Sequence, residues 1–141
     1  MNLRFLIEGR KFALYAIMQG EDVVEYLAKL ESENVRAHDQ IVRRLEQLAE
    51  HGPSRKKNEF NALGHDLYEA KAKSGPRVIF FYDQNSIIIC SHAFDKQGQK
   101  TPRKELDKAH NRKLTYFERK MSGQGFVIHT AEGQKAPRRQ P

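Results

Sequence analysis

The spacing of apolar residues along the chain predicts strands and helices in a definite order. Residues 11–18 form a short, mostly apolar run ended by Gly20, which favours a first strand. Negative charge at Glu21 and Asp22 follows, where the start of a helix favours it. Apolar residues then recur at helical spacing at Val23, Leu27 and Leu30. The pattern therefore predicts a strand followed by an amphipathic helix.

A second helix is predicted from about Asn34 to His51. One stripe of this segment carries His38, Ile41, Leu45 and Leu48, and Gly52-Pro53 provides a stop. Because the connection between the two helices is short, we expect them to pack as a hairpin. The polar, basic segment from Pro53 to Asn61 is predicted to be an exposed loop.

Three consecutive segments have strand character. Residues 67–73 alternate, with Tyr68, Ala70 and Ala72 on one face and charged residues on the other. Residues 77–82 and 87–94 are strongly β-prone, and turn-forming residues separate all three segments. The pattern predicts an antiparallel meander.

A third helix is predicted over residues 102–117, opened by a Thr101 cap and Pro102 at the first helical position. Beyond it, residues 126–128 suit one short strand, and the end from Lys135 to Pro141 is predicted to be disordered. The whole order predicts an α+β fold with a small antiparallel sheet. We expect a lead over residues 1–10, one domain over 11–117 and a basic, partly disordered tail over 118–141.

Composition narrows the class of protein. The 141 residues are 38% hydrophobic and 30% charged, which is typical of a globular chain. The single cysteine, Cys90, lies in an apolar run and excludes an intramolecular disulfide, so we interpret it as a core thiol. No apolar run is long enough to span a bilayer, and the N-terminus does not fit a signal peptide. These observations predict a cytoplasmic protein without a membrane partner.

Positive charge is the feature that points to chemistry. The net charge is +7, and the stretch from Lys71 to Lys120 holds about a dozen basic residues against about five acids. Strand alternation places Lys71 and Lys73 on one side, and the turn at Gly75-Pro76 returns Arg77 beside them. This group is a candidate phosphate-binding patch, and an ordinary solvated strand face is the alternative.

A second candidate site follows the last predicted strand. The loop from Phe94 to Pro102 leads into a helix N-terminus, where free N–H groups and a positive dipole favour a phosphate. Lys96 and Lys100 flank this position. A plain soluble connection is the alternative interpretation.

Several blocks of the sequence resemble one known family. They are Leu67-Tyr68-Glu69-Ala70-Lys71, the segment from Gly75 to Phe81, the segment from His92 to Pro102, and Glu105 to Arg112. The chain resembles the RelE/HigB superfamily of type II toxins, close to its phage-derived HigB-like branch. The resemblance is good over residues 67–117 and looser over residues 12–53.

The resemblance implies a RelE-like fold and a ribosome-dependent mRNA endoribonuclease that needs neither a metal nor a cofactor. In such an enzyme the ribose 2′-hydroxyl attacks the neighbouring phosphate, and a cognate antitoxin, expected to be a helix-turn-helix protein, restrains the activity. The reaction needs a base, cations around the phosphate and an acid for the leaving oxygen. The family's strand arginine corresponds to Arg77, a basic position to Lys71, and its loop cations to Lys96 and Lys100.

The remaining site residues follow from type and position. Lys73 is a candidate base or phosphate partner beside Lys71, because neighbouring cations lower the pKa of a lysine. His92 and Tyr116 are candidates for the acid, and Arg103 and Lys104 extend the predicted RNA-binding set. Pro76 and Gln97 depart from the family pattern, in which Tyr and Lys are common. A ParE-like gyrase inhibitor and a non-catalytic binding module of the same fold remain alternatives.

Overall fold

A computed structural model describes residues 1–141 and shows one mixed sheet with helices on both faces. The strands are β1 (Asn2–Glu8), β2 (Ala13–Ile17), β3 (Phe60–Gly64), β4 (Leu67–Lys71), β5 (Pro76–Asp83), β6 (Ile87–Asp95) and β7 (Val127–His129). The helices are α1 (Val23–Glu33), α2 (Val35–His51) and α3 (Arg103–Met121).

The sheet has seven strands in the order β3-β4-β5-β6-β2-β1-β7. The meander β4-β5-β6 is antiparallel, as predicted, whereas β2 pairs with β6 and β1 with β7 in parallel. The α+β class is therefore confirmed, but the expectation of a small antiparallel sheet is wrong. Parallel pairing of β2 with β6 is possible because α1 and α2 lie in the long connection between them.

The helical hairpin forms as the sequence predicts. Asp22 caps α1 in a reciprocal capping box with Glu25, and the Asn34 side chain accepts from the Ala37 N–H to cap α2. Gly52 ends α2 at a φ of 79°, a conformation that glycine adopts readily. No helix of the structure has the length and apolar character needed to cross a membrane.

Both faces of the sheet are covered, which explains why β5 and β6 are almost continuously apolar. On one face Ile41 and Leu48 of α2 belong to a cluster with Phe80. On the other face Ala109 and Tyr116 of α3 pack in a second cluster with neighbouring strand residues. Cys90 is fully buried, as predicted, and burial raises the pKa of its thiol to about 12.

Two outer strands were not predicted. Residues 1–10 were expected to be a lead, but β1 pairs with β2 and buries Leu3 and Phe5. Similarly, β3 begins at Phe60, inside the segment predicted as an exposed loop, and pairs with β4. In β3 only Phe60 is buried, so an edge strand of this kind leaves little hydrophobic alternation in the sequence.

The C-terminal segment is ordered against the sheet. α3 continues four residues past its predicted end, and β7 pairs with β1. Farther along, Pro137 is buried, and the Arg139 guanidinium donates to the Gly9 and Arg10 carbonyls. The expectation of a disordered end is thus corrected, because backbone pairing and buried contacts hold residues that look polar in sequence.

Gly9 provides a direct test of the packing between β1 and α2. A Cβ at this position would lie 2.4 Å from the Ala49 carbonyl carbon and 2.6 Å from the Glu50 nitrogen, both backbone atoms. We expect Gly9→Ala to lower the free energy of unfolding by about 1–3 kcal/mol, measured by urea denaturation. The exposed neighbour provides a control, since Arg10→Ala should change stability by less than about 0.5 kcal/mol. Equal stability of the two variants would contradict the close approach.

Candidate functional site

The predicted cations meet at a cleft beside the N-terminus of α3. The cleft lies where β4 ends and β5 begins, and its free volume is about 10 Å³, which is room for about one water molecule. Its lining residues are Glu69, Arg77, Phe94, Lys96, Gln97, Gly98, Gln99, Lys100, Thr101 and Pro102. The structure therefore joins the strand arginine to the loop lysines, which the sequence could only place in separate segments.

Arg77 is the central side chain of the cleft, and it is almost buried. Its Nη1 atom donates to three backbone carbonyls, those of Ala72 at 2.7 Å, Pro76 at 3.0 Å and Gly75 at 3.2 Å. Burial lowers the pKa of the guanidinium, although the Glu69 carboxylate opposes this effect. Carbonyl contacts on one nitrogen hold the guanidinium in place and leave Nε and Nη2 without a hydrogen-bonded partner.

Glu69 is a site residue that sequence reasoning missed. Its side chain is only 4% exposed, its Oε1 lies 4.0 Å from the Arg77 Nε, and its Oε2 accepts from the Thr101 hydroxyl at 2.7 Å. Thr101 was predicted to cap α3, but its hydroxyl binds Glu69 and Pro102 occupies the cap position. The only sequence signal was an acid inside an otherwise basic, alternating strand.

The loop over the cleft is tied down only at its two ends. Lys96 donates its backbone N–H to the Gly75 carbonyl at 3.0 Å, and Thr101 holds the other end through Glu69. Residues 97–100 between these points make no hydrogen bond and are exposed. Movement of this stretch would therefore break no hydrogen bond of its own, while it would open the cleft to a ligand.

The other predicted cations lie around this cleft at the surface. Lys71 is paired with Arg77 across the strands, but its Nζ donates to the Lys57 carbonyl at 3.2 Å. Lys73 is exposed in the turn that follows. Neither ammonium is buried. Because burial is a condition that helps a lysine to act as a base, both side chains are better suited to phosphate contact.

Arg103 and Lys104 occupy the first turn of α3 and are exposed. The Arg103 Nε lies 4.0 Å from the Asp107 carboxylate in a solvent-exposed pair. No side chain caps this helix, so its first N–H groups remain available to an anion. The arrangement adds a helix N-terminus to the basic rim of the cleft.

His92 lies on the same face of the sheet as the cleft, but its side chain is buried. Its Nδ1 is 2.9 Å from the Ser91 hydroxyl and its Nε2 is 3.2 Å from the Glu105 carboxylate. Burial, followed by the positive charges of Lys108 and Arg112, lowers its pKa to about 3. The ring is therefore neutral near pH 7, and it does not line the cleft.

Tyr116 lies far from Arg77. It is fully buried near the other end of α3, about 20 Å along the helix from Arg103. Its hydroxyl donates to the Asp83 carboxylate at 2.5 Å, and burial together with this carboxylate raises its pKa. The structure thus separates Tyr116 from the other predicted site residues and gives it a packing environment.

The pKa of His92 leads to a pH prediction. Because the folded protein binds a proton at His92 less readily than the unfolded chain, this residue opposes folding once the pH falls below about 6.5. We expect wild-type stability to decrease faster than that of His92→Gln between pH 6.5 and about 3, approaching 1.4 kcal/mol per pH unit. Urea unfolding across this range measures the difference, and parallel pH profiles would contradict the assignment of a neutral ring.

The fold is α+β, and the cleft at the end of the sheet carries basic side chains that can bind an anion. The sequence from residue 25 to residue 114 matches the family described as phage derived protein Gp49-like. Since this match covers more than half of the chain, the protein belongs to that family. No curated protein matches the sequence.

The chain is also similar to proteins of known structure. One of them is the structure of the YoeB dimer from Staphylococcus aureus, with a TM-score of 0.47 and 13% sequence identity. The alignment covers 63% of this chain and 99% of the YoeB chain. The HigB-like branch suggested by the sequence stays a prediction.

Proposed function

We propose that this chain is the toxin of a type II toxin–antitoxin pair and that it is a ribosome-dependent mRNA endoribonuclease. The observation that carries this proposal is the cleft in which Arg77 and Glu69 meet Lys96 and Lys100. A buried carboxylate beside a fixed guanidinium, with exposed cations above them, matches the needs of phosphodiester cleavage. Membership of the Gp49-like family supports the same class of protein.

In the proposed reaction the loop over residues 97–100 moves aside and admits one phosphodiester. The Glu69 carboxylate accepts the proton of the ribose 2′-hydroxyl, and the 2′-oxygen forms a bond to phosphorus. Arg77 stabilises the charge on the phosphoryl oxygens, with Lys71 and Lys73 outside it. The bond to the 5′-oxygen breaks, leaving a 2′,3′-cyclic phosphate, and the leaving oxygen takes a proton from a loop ammonium.

A deoxyribose substitution tests the chemistry. Ribosomes carrying a message with a single 2′-deoxy residue at the cleavage site should remain uncut, because the nucleophile is missing. Occupancy of the ribosome by the protein should change little, since the phosphates that supply most of the electrostatic affinity are retained. Cutting of the deoxy message at the normal position would refute 2′-hydroxyl attack.

Glu69→Gln tests the base. The amide keeps the size of the side chain and accepts the Thr101 hydroxyl, but it cannot take the hydroxyl proton. We expect cleavage to fall by about 100- to 10,000-fold in a single-turnover assay on programmed ribosomes. Thr101→Val is the matched control, because it removes this hydrogen bond and retains the carboxylate, so it should cut at close to the wild-type rate. An equal fall in both variants would instead assign the effect to the positioning of Glu69.

A non-catalytic docking module is the second candidate, and one observation favours it. The cleft holds only about 10 Å³ in this conformation, while three carbonyls occupy one nitrogen of Arg77. Expression in a bacterium separates the candidates, since a ribonuclease arrests protein synthesis first and a docking module arrests nothing. Arrest of DNA replication first would indicate the ParE-like alternative.

A further inference from the structure

A second cleft lies at the opposite end of β4 and β5, outside the proposed catalytic site. Its volume is about 410 Å³, and its lining residues are Asp66, Tyr68, Tyr82, Lys113 and Phe117. Three of these five side chains are aromatic, and each is only partly buried. The sequence assigned no role to this group, because its members come from three separate segments.

Core packing fixes the aromatic rings from behind. Tyr68 stacks on Phe80 with ring centroids 5.8 Å apart, and Tyr82 packs edge-on against Tyr68 at 5.2 Å. Phe117 contacts Phe81 at 5.7 Å. Neither Tyr68 nor Tyr82 uses its hydroxyl in a hydrogen bond within the protein. The cleft therefore presents preformed aromatic faces together with free phenolic hydroxyls.

The polar side chains at the rim of the cleft are better suited to bind a nucleobase than a phosphate. The Lys113 Nζ donates to the His65 carbonyl at 2.5 Å and lies 4.0 Å from the Asp66 carboxylate. Asp66 itself is 88% exposed, so its oxygens face solvent at the mouth of the cleft. A carboxylate repels a phosphate, whereas it accepts hydrogen bonds from the exocyclic amino group of a base.

The cleft lies toward the opposite end of α3 from the basic N-terminus of that helix. About 15 Å of helix separates Arg103 from Lys113, and Tyr82 lies about 17 Å along β5 from Arg77. Between these ends His110 of α3 meets His65 of the β3–β4 turn, with ring centroids 4.6 Å apart. Cations at one end and aromatic faces at the other are the two elements of a single-strand binding surface.

We propose that Tyr68, Tyr82 and Phe117 form a stacking platform for a base of single-stranded RNA. Asp66 selects bases that carry an exocyclic amino group over uracil. This inference rests on the proposed function, because the platform binds the strand whose phosphate enters the Arg77 cleft. It adds a base-binding subsite that the cleavage chemistry alone does not require.

Binding of short fluorescein-labelled oligonucleotides tests the platform, measured by fluorescence anisotropy without ribosomes. We expect Tyr68→Leu and Tyr82→Leu each to weaken binding of oligocytidylate roughly 5- to 100-fold, because one stacking contact is lost. Tyr68→Phe is the matched control and should bind as wild type, since it keeps the ring. Inorganic polyphosphate, which has no bases, should bind all four proteins equally.

The preference between bases tests Asp66. Wild-type protein should bind oligocytidylate more tightly than oligouridylate, and Asp66→Asn should reduce the difference. Absence of binding by wild type, or Leu variants that bind as wild type does, would overturn the platform. Ultraviolet crosslinking of oligocytidylate to wild-type protein does not depend on the folding of any variant, and crosslinks confined to residues 96–104 would also overturn the platform.

The ribonuclease and the stacking platform can be refuted independently of each other. If the Leu variants bind normally while Glu69→Gln still loses cleavage, the platform is wrong and the ribonuclease stands. If RNA binding depends on Tyr82 but no message is cut, the ribonuclease is wrong and the platform stands.

Discussion

Replacement of Arg77 by lysine is expected to abolish message cleavage and growth arrest while the protein stays folded. The lysine keeps a positive charge beside Glu69, but it cannot present the remaining guanidinium N–H groups to a phosphate. Loss of such a fixed donor typically costs about 100- to 1,000-fold in rate. Single-turnover cleavage on programmed ribosomes measures the loss, and urea unfolding measures the fold.

Arg112→Lys is a matched control for this variant. Arg112 is also an almost buried arginine, and it donates to the Ser91 carbonyl at 2.6 Å and the Gln19 carbonyl at 3.0 Å. It does not line the cleft, so its replacement should cost stability without a comparable loss of cleavage. Equal loss in both variants would mean that Arg77 acts through folding, and full activity of Arg77→Lys would refute its assignment.

Alanine at position 77 is a poorer test because it changes two things at once. It removes the phosphate donor, and it also leaves the Glu69 carboxylate buried without its cation. Breaking one side of a buried pair costs about 3–5 kcal/mol, which is a large part of the stability of a small domain. The sequence placed Arg77 on a surface patch, and only the structure reveals its structural contacts.

Elements with a strong pattern of apolar residues were predictable from sequence. The meander and the helical hairpin have apolar residues wherever α1, α2 or α3 covers the sheet, so their periodicity is clear. The outer strands β1 and β3 were placed in a lead and a loop, whereas β7 was predicted as a short strand within the tail. β1 buries only two of its residues and β3 only one, so both give a weak sequence signal, although each pairs with the next strand along the chain.

The residues of the candidate site also differ in how far the sequence could predict them. Arg77, Lys96 and Lys100 were selected by residue type and by position in a strand or loop; the structure places all three at one cleft, and their role stays a prediction. Glu69 was missed because its role depends on Thr101, a partner 32 residues away. Tyr116 was selected because its hydroxyl can donate a proton. In the structure its ring is fully buried and its hydroxyl donates a hydrogen bond to Asp83, so it is a packing residue. The roles of Glu69 and Tyr116 both depend on contacts with residues far away in the sequence, which a local pattern does not reveal.

Removal of residues 122–141 is expected to destabilise the domain strongly. The deleted segment supplies β7, which pairs with β1, and Phe126, whose ring stacks on Tyr116 with centroids 4.6 Å apart. It also supplies the Arg139 carbonyl that accepts the Tyr15 hydroxyl, as well as the buried Pro137. Phe126 is partly buried, and its contacts are lost together with the β7 pairing and the buried Pro137, so the truncated protein should unfold at much lower urea concentration.

The extent of the deletion provides the control for this effect. Removal of Gln140 and Pro141 alone should leave stability nearly unchanged, because neither side chain makes a hydrogen bond. If the protein lacking residues 122–141 instead unfolds at the same urea concentration as wild type, then β7 and the following segment are an accessory arm. In that case the loss should appear only as weaker RNA binding at low salt, owing to the removed Lys135, Arg138 and Arg139. A large fall in stability would show that these basic residues belong to a segment that completes the sheet.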